Sequence, residues 1–176
     1  GASGCGKSSL VQAGLLVRLA CQQSQSLAGL TEPDAPAWLV CRLRPGPSPL
    51  RSLAAGLAKA LPLNDSGDPR AAWTEEELAR RLHSGGSLSD LIQRLVPTDR
   101  FRVLLYCDQL EELFTLCEDA GERATFLGLL TSNANSAEPA PWLKVLLTLR
   151  ADFLGQLLVN RPAADAQLIN ETLDQR

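Results

Sequence analysis

Several patterns that would assign a chain to a particular class of protein are absent from these 176 residues. The only histidine, His83, has no metal-binding spacing with the five cysteines, and no two cysteines form a C-x-x-C motif. We therefore expect free thiols in a reducing compartment. No apolar run approaches the roughly 20 residues that a membrane-spanning helix requires, and no targeting segment opens the sequence. Together these absences predict a soluble, cytoplasmic protein without a membrane segment.

The charge and composition exclude further classes. The 17 basic and 20 acidic residues give a formal net charge of −3, and the basic residues form no run typical of a nucleic-acid groove. We therefore expect no nucleic-acid partner. The sequence has no internal repeat or low-complexity tract, and its 45% hydrophobic residues are sufficient for a sizeable core. The length predicts a single domain over residues 1–176.

A phosphate-binding pattern stands at the start of the sequence. Within residues 1–9, the first eight fit G-x-x-x-x-G-K-[ST], in which a glycine-rich turn leads into a helix and backbone N–H groups converge on phosphate oxygens. Lys7 is placed to reach the β- and γ-phosphates, and the Ser8 hydroxyl is a hard oxygen ligand suited to Mg²⁺. The alternative is an ordinary glycine turn before a helix. The predicted nucleotide-binding residues are Gly1, Ser3, Gly4, Cys5, Gly6, Lys7, Ser8 and Ser9.

The identity of the nucleotide follows by elimination. The guanine-binding pattern [NT]-K-x-D occurs nowhere in the sequence, so ATP and ADP are favoured over GTP. Cys5 lies inside the loop, and we expect its thiol to lie near the bound phosphates.

Strand and helix patterns alternate along the chain. Apolar runs at 38–41, 101–107 and 142–149 are typical of buried strands, and apolar residues at helical spacing separate them. This alternation predicts an α/β fold with a parallel sheet covered on both faces. The helix after the phosphate loop is apolar nearly all round, so we expect it to be buried on most sides. Because such a loop normally follows a buried strand, we expect an N-terminally truncated fragment whose first strand is missing.

Asp108 and Arg150 each come directly after an apolar strand. The right-handed crossover rule brings the carboxyl ends of parallel strands to one edge of the sheet, where the phosphate loop also lies. Asp108 is expected to hold Mg²⁺ opposite Ser8, directly or through water. The alternative is that Asp108 caps the helix that follows it. Arg42 and Arg44 can approach the nucleotide or merely cap a strand end.

Glu111 and Glu112 follow Asp108 within one helical turn and are candidates for orienting or deprotonating an attacking water. Adjacent helical positions diverge by ~100°, so only one of the two can face the γ-phosphate. The helix dipole also favours acidic residues in a first turn, whatever their chemistry. Arg150 is predicted to contact the γ-phosphate, and pairing with Asp152 is its alternative.

The chain resembles the novel STAND NTPase domain in four segments that follow one another in the family's order. They read G-K-S-S-L-V-Q-A-G-L-L, R-P-G-P-S-P-L, Y-C-D-Q-L-E-E-L-F-T and L-T-L-R-A-D-F. The resemblance covers nearly all of the chain and implies a P-loop NTPase of the ASCE class with a three-layer α/β/α fold. It also implies that the strand before the loop lies between the strands ending in Asp108 and Arg150.

The resemblance also implies roles for individual residues. The Walker A loop corresponds to Gly1, Gly6, Lys7 and Ser8, the Walker B acid to Asp108, the downstream acidic pair to Glu111 and Glu112, and the sensor arginine to Arg150. Many ASCE ATPases have glutamate directly after the Walker B aspartate, whereas this chain has Gln109. The identity of the catalytic base therefore stays open.

The same resemblance implies an ATP-binding and slowly hydrolysing switch in a multidomain signalling protein. ADP would hold a closed state, and ATP an open state that self-associates, while sensor, effector or repeat domains outside these residues decide the output. A different class, a non-catalytic scaffold that keeps nucleotide as a structural ligand, stays open. A small-molecule kinase is disfavoured because no arginine-rich lid segment is evident.

Overall fold

The computed structural model describes residues 6–21, 36–60 and 73–159. Within these ranges the strands form one parallel sheet in the order β1-β2-β3. The strands are β1 (Ala37–Leu43), β2 (Phe101–Cys107) and β3 (Leu143–Leu147). The predicted α/β fold with a parallel sheet is confirmed, and the strands lie where the apolar runs indicate, with ends that differ by one or two residues.

Helices connect and cover these strands. In chain order they are α1 (Lys7–Leu10) with a π-helical continuation (Val11–Leu16), α2 (Pro49–Ala60), α3 (Glu75–His83), α4 (Leu88–Leu95), α5 (Glu112–Thr115), α6 (Ala120–Ser132), a 3₁₀ turn (Ala151–Phe153) and α7 (Leu154–Val159). Residues 17–21 extend the first helix, and we call the whole stretch 7–21 the N-terminal helix.

Side-chain caps fix where the middle helices begin. The Thr74 hydroxyl accepts a hydrogen bond from the Glu77 N–H at 3.3 Å, and the Ser87 hydroxyl accepts one from the Asp90 N–H at 3.4 Å. Both helix starts were predicted from the sequence and are confirmed. The Asp119 carboxylate caps α6 in the same manner. These caps satisfy backbone donors that have no partner within a helix.

The two faces of β2 differ in what covers them. Successive side chains along a strand point to opposite faces, so Leu105 and Cys107 lie on one face, and Tyr106 and Asp108 on the other. Leu105 and Cys107 belong to the main hydrophobic core, together with buried residues of α2, α3, α4 and α6. The opposite face carries the polar cluster around Asp108.

Close packing of α2 on β1 depends on one glycine. A Cβ atom at Gly56 would lie 3.0 Å from the Cys41 sulfur and 3.4 Å from the Arg42 carbonyl oxygen. A larger residue would push α2 away from the sheet. The loop before α2 is also anchored, because the Ser52 hydroxyl donates to the Pro45 carbonyl oxygen at 2.9 Å.

The expected burial of the N-terminal helix is wrong for the described residues. Leu10 is 75% exposed, Val17 is 50% exposed, and only Leu19 is buried within this helix. The reason is that the rest of the described chain contacts the side that carries Ser8 and Gln12. An apolar surface all round shows that a helix can be buried, but it does not supply the neighbours that bury it.

The expected position of the strand before the loop stays a prediction, because the described residues include no strand ahead of α1. Among the described residues β2 pairs directly with β3 along Val103–Cys107 and Leu143–Leu147.

Candidate nucleotide-binding site

The carboxyl ends of β2 and β3 bring Asp108 and Thr148 together. Each of the two follows its strand directly. The Thr148 hydroxyl donates to Asp108 Oδ1 at 2.7 Å, and the Thr148 N–H donates to the Cys107 carbonyl oxygen at 3.0 Å. Asp108 has no exposed surface, so its charge depends on neighbouring groups for stabilisation.

The N-terminal helix supplies further contacts to Asp108. The Ser8 hydroxyl donates to Oδ1 at 2.6 Å, and Gln12 Nε2 donates to Oδ2 at 3.4 Å. Because Ser8 and Gln12 are four residues apart, they lie on one face of the helix. The structure therefore brings together Ser8 and Asp108, the two residues predicted to hold the metal.

Two arginines at the end of β1 approach the other carboxylate oxygen. Arg44 Nη2 lies 3.6 Å from Asp108 Oδ2, and Arg42 Nη2 lies 3.9 Å from it. Burial raises the pKa of Asp108, but hydrogen bonds from Ser8 and Thr148, the nearby Tyr106 hydroxyl and the charge of Arg44 outweigh that effect and hold the pKa below its ordinary value. Asp108 is therefore an ionised carboxylate at neutral pH.

The turn after Asp108 keeps Thr148 in place. Gln109 has a φ of 54°, in the left-handed region that few residues other than glycine adopt. Its N–H donates to Thr148 Oγ1 at 3.1 Å, and the Leu110 N–H donates to the Thr148 carbonyl oxygen at 2.9 Å. Helix α5 begins at Glu112 rather than directly after Asp108, and the Asp108 carboxylate faces the polar cluster rather than the start of that helix.

The acidic pair connects two neighbouring loops. Glu111 Oε2 accepts a hydrogen bond from the Arg150 N–H at 3.3 Å, whereas Glu112 Oε2 accepts one from the Gly46 N–H at 3.3 Å. The two carboxylates thus face different loops, one after β3 and one after β1. Both side chains are half-buried at the carboxyl edge of the sheet.

Arg150 lies at the same edge but is paired with an acid. Its guanidinium donates to both carboxylate oxygens of Asp152, at 3.2 and 2.6 Å, and lies 5.7 Å from the Phe153 ring centroid. The hydrogen bond to Asp152 and the charge of that residue raise the pKa of Arg150. Asp152 in turn has a lowered pKa, chiefly through Arg150, with a smaller contribution from the charge of Lys7. Arg150, Asp152 and Lys7 therefore lie on one side of the site.

The end of the phosphate loop has a glycine-dependent conformation. Gly6 has a φ of 78°, and its carbonyl oxygen accepts a hydrogen bond from the Leu10 N–H at 2.8 Å. Lys7, Ser8 and Ser9 form the first turn of α1. The other predicted loop residues, Gly1, Ser3, Gly4 and Cys5, lie outside the described residues.

The oxygen atoms at this edge suit a magnesium ion bound together with a nucleotide. Mg²⁺ usually takes one or two protein oxygens and completes its shell with phosphate oxygens and water. Ser8 and Asp108 supply one hydroxyl and one carboxylate that already meet at 2.6 Å. Within the three described ranges, no group of three or more His, Cys, Asp or Glu side chains could hold a metal by itself. The donor set therefore fits a metal that arrives with phosphate.

Comparison with known families identifies the chain. The family model described as Novel STAND NTPase 1 matches residues 1–174. The chain belongs to this family. It is a nucleotide-binding domain of the STAND NTPases, and its parallel α/β sheet is consistent with a P-loop NTPase fold. No curated protein and no solved structure matches the chain.

Membership of this family indicates which ligand the domain binds and says less about where the protein is located. An NTPase binds nucleotide, typically with a divalent metal, and the cluster of Ser8 and Asp108 suits that chemistry. Among the helices of the described ranges, none has the length and apolar character needed to cross a bilayer.

Sequence reasoning missed three members of this STAND site. Thr148, Gln12 and Tyr106 lie around Asp108, and none of them belongs to the predicted set. For Thr148 and Tyr106 the available signal was a polar group next to or within an apolar strand, at the carboxyl end of the sheet. Gln12 gave a weaker signal, as a polar residue one turn after Ser8 in an apolar helix.

Proposed function

We propose that this STAND domain binds ATP with Mg²⁺, hydrolyses it slowly to ADP and phosphate, and serves as a nucleotide switch in a multidomain signalling protein. The observation that supports this most directly is the 2.6 Å hydrogen bond between Ser8 and Asp108. It joins the end of the phosphate loop to the acid at the end of β2, as an NTP-bound metal requires.

Each residue of the loop has a distinct part in this proposal. Backbone N–H groups of the loop would surround the phosphates, and Lys7 would reach the β- and γ-phosphate oxygens. Ser8 and Asp108 would hold Mg²⁺, which would supply positive charge that neutralises charge developing on the phosphates. These are Walker A and Walker B roles.

Glu111 is the member of the acidic pair that we assign to the attacking water. Its carboxylate lies beside the Arg150 N–H, on the side of the site where Lys7 influences Asp152. Glu112 is held instead by the Gly46 N–H, at the proline-rich loop. A base within hydrogen-bond reach of a water near the γ-phosphate is what hydrolysis needs.

Arg150 is the proposed sensor of the γ-phosphate. Its guanidinium is exposed and paired with Asp152. A triphosphate competes for this guanidinium as a bidentate acceptor with more charge than one carboxylate. Exchange of Asp152 for phosphate would alter the start of the 3₁₀ turn and α7, which gives the switch a physical basis.

Binding is tested with Lys7→Ala in the full chain. We expect ATP affinity to fall about 10- to 100-fold, because a charge-assisted hydrogen bond contributes about 1.5–3 kcal/mol. Isothermal titration calorimetry measures this loss. The control is Lys59→Ala, which removes an exposed lysine from α2 and should leave affinity unchanged. Equal affinity in Lys7→Ala and wild type would refute the assignment of the loop.

Hydrolysis is tested by phosphate release from Glu111→Gln, Glu112→Gln and the double variant. We expect Glu111→Gln to bind ATP normally and to lose turnover by about 100-fold or more, the contribution of a positioned base. Glu118→Gln, an exposed acid after α5, is the control. Unchanged turnover in the double variant would contradict the catalytic assignment.

A non-catalytic scaffold is the second candidate function. It is favoured by one observation, that both Glu111 and Glu112 already accept backbone N–H groups and Gln109 occupies the position directly after Asp108. This candidate predicts stoichiometric ATP binding without phosphate release from the wild-type chain.

A further inference from the structure

Tyr106 has a buried hydroxyl group without a partner. It is the next-to-last residue of β2 and is fully buried, as is Asp108, which lies two positions further along the same face. Among the described residues, the Tyr106 hydroxyl is the one buried side-chain oxygen or nitrogen that makes no hydrogen bond. Such groups are rare in native proteins and require an explanation.

The surroundings of this hydroxyl are polar. Burial raises the pKa of Tyr106, and polar interactions with Thr148, Asp108 and Ser8 modify that increase, so the phenol lies near these three groups. None of the three meets the distance and angle of a hydrogen bond to the hydroxyl. The Arg42 guanidinium lies 6.0 Å from the centre of the Tyr106 ring. Because Tyr106 lies among groups that are proposed to bind metal, we expect its hydroxyl to have a polar function.

The neighbouring groups use their hydrogen-bonding capacity on one another. Thr148 Oγ1 accepts from the Gln109 N–H and donates to Asp108, and Ser8 also donates its proton to Asp108. Neither hydroxyl has a proton left for Tyr106. The phenol is therefore a spare donor and acceptor beside an internally bonded cluster.

We propose that the Tyr106 hydroxyl is a positioning group for the metal site, which accepts a hydrogen bond from a water molecule bound to the divalent cation. This inference rests on the proposed function. Mg²⁺ gives up its water ligands reluctantly, so a site with only Ser8 and Asp108 as protein ligands keeps water on the ion. Groups that hold such outer contacts orient the ligands and increase metal affinity.

The test is Tyr106→Phe in the full chain, because this change keeps the ring and removes only the hydroxyl. Without metal and nucleotide, the melting temperature should stay the same or rise, since an unpaired buried hydroxyl is lost. With ADP present, the Mg²⁺ concentration for half-maximal binding should rise about tenfold. ADP affinity in EDTA should not change. Electron paramagnetic resonance of Mn²⁺ measures bound metal directly and should show the same loss.

A matched control is Thr131→Val in α6, which removes a hydroxyl that donates to the Leu127 carbonyl oxygen at 3.0 Å. It should lower the melting temperature and leave the Mg²⁺ requirement unchanged. A lower melting temperature for Tyr106→Phe with an unchanged Mg²⁺ requirement would overturn the inference, and so would no change in either quantity. If the wild-type chain shows no Mg²⁺-dependent ADP binding, the proposed function falls as well, which distinguishes the two failures.

Discussion

Thr148 has two opposite hydrogen-bonding roles at once. Its oxygen accepts from the Gln109 N–H, while its proton goes to Asp108. One side chain therefore holds both the left-handed turn at Gln109 and the orientation of the Asp108 carboxylate. Serine could repeat both contacts, whereas valine could repeat neither, so the hydroxyl is the part of this residue that the site requires.

The buried thiols of Cys41 and Cys107 should make the free energy of unfolding depend on pH in the alkaline range. Burial raises the pKa of each thiol from 9.0 to about 12. A group whose pKa is higher in the folded state stabilises fully below its unfolded pKa and loses that contribution as pH rises through its folded pKa. Each thiol should therefore lower the free energy of unfolding by about 1.4 kcal/mol per pH unit above pH 9 and up to about 12.

Urea unfolding of wild type and Cys107→Ala between pH 8 and about 11 measures this slope. The variant should lose stability less steeply with pH, whatever its stability at pH 8. Cys21→Ala removes an exposed thiol and should retain the wild-type slope. Parallel curves for wild type and Cys107→Ala would contradict the prediction.

Some residues of the site could be predicted from the sequence, and others could not. Asp108 could be predicted because a carboxylate directly after an apolar strand is visible in one dimension. Tyr106 could not, because nothing in the letters V-L-L-Y-C-D states that a phenol lacks a partner. Such a property arises only when neighbouring strands and the N-terminal helix have taken their places. The catalytic and sensor roles of Glu111, Glu112 and Arg150 stay predictions.

Helix α3 offers the clearest test of a helix start that was predicted from neighbouring residues. The Thr74 hydroxyl accepts from the Glu77 N–H, and acidic residues fill the first turn. Replacing Thr74 with alanine should lower the free energy of unfolding by about 1 kcal/mol, because one backbone donor loses its partner. Thr74→Ser keeps the cap oxygen and should lose less than half of that amount. Denaturant unfolding compares the two, and equal losses would show that the cap is not the cause.

The contrast between α3 and the N-terminal helix explains what helix patterns can predict. A cap is a contact between residues a few positions apart, so Thr74 and Glu77 reveal it directly. Burial of a helix depends on distant residues, and Leu10 and Val17 are exposed despite their apolar side chains. Patterns of neighbouring residues therefore predicted where helices begin, but they did not predict whether a helix is buried.

For the whole molecule, the sheet order predicts how local stability is distributed. β2 lies between two paired strands, and its residues from Val103 to Cys107 are buried. We expect hydrogen exchange to be slowest there and much faster in the N-terminal helix, which exposes Leu10 and Val17. Hydrogen exchange with mass spectrometry measures both segments.

Addition of Mg²⁺ and ADP should slow exchange in the first turn of that helix, because Ser8 would be held by both metal and Asp108. The segment around α4, far from the sheet edge that carries the site, serves as the internal reference. Protection of the reference segment alone would contradict the location of the site.

Strand order was the part of the fold that sequence alone could not establish. Parallel pairing and the meeting of strand ends at one edge follow from alternating patterns and crossover handedness. The order of neighbouring strands depends on packing between distant residues. The direct pairing of Val103 with Leu143 could not be predicted from the sequence of either strand.

The distances along the chain between members of the polar cluster also have a consequence for folding. Ser8 and Asp108 are 100 residues apart, and Asp108 and Thr148 are 40 apart. Contacts between distant residues form late, because the chain between them must first lose much of its freedom. A partly folded chain that lacks β3 would have Asp108 without the Thr148 hydroxyl. We therefore expect the capacity to bind nucleotide to appear only at the end of folding, so that only completely folded chains gain stability from the ligand.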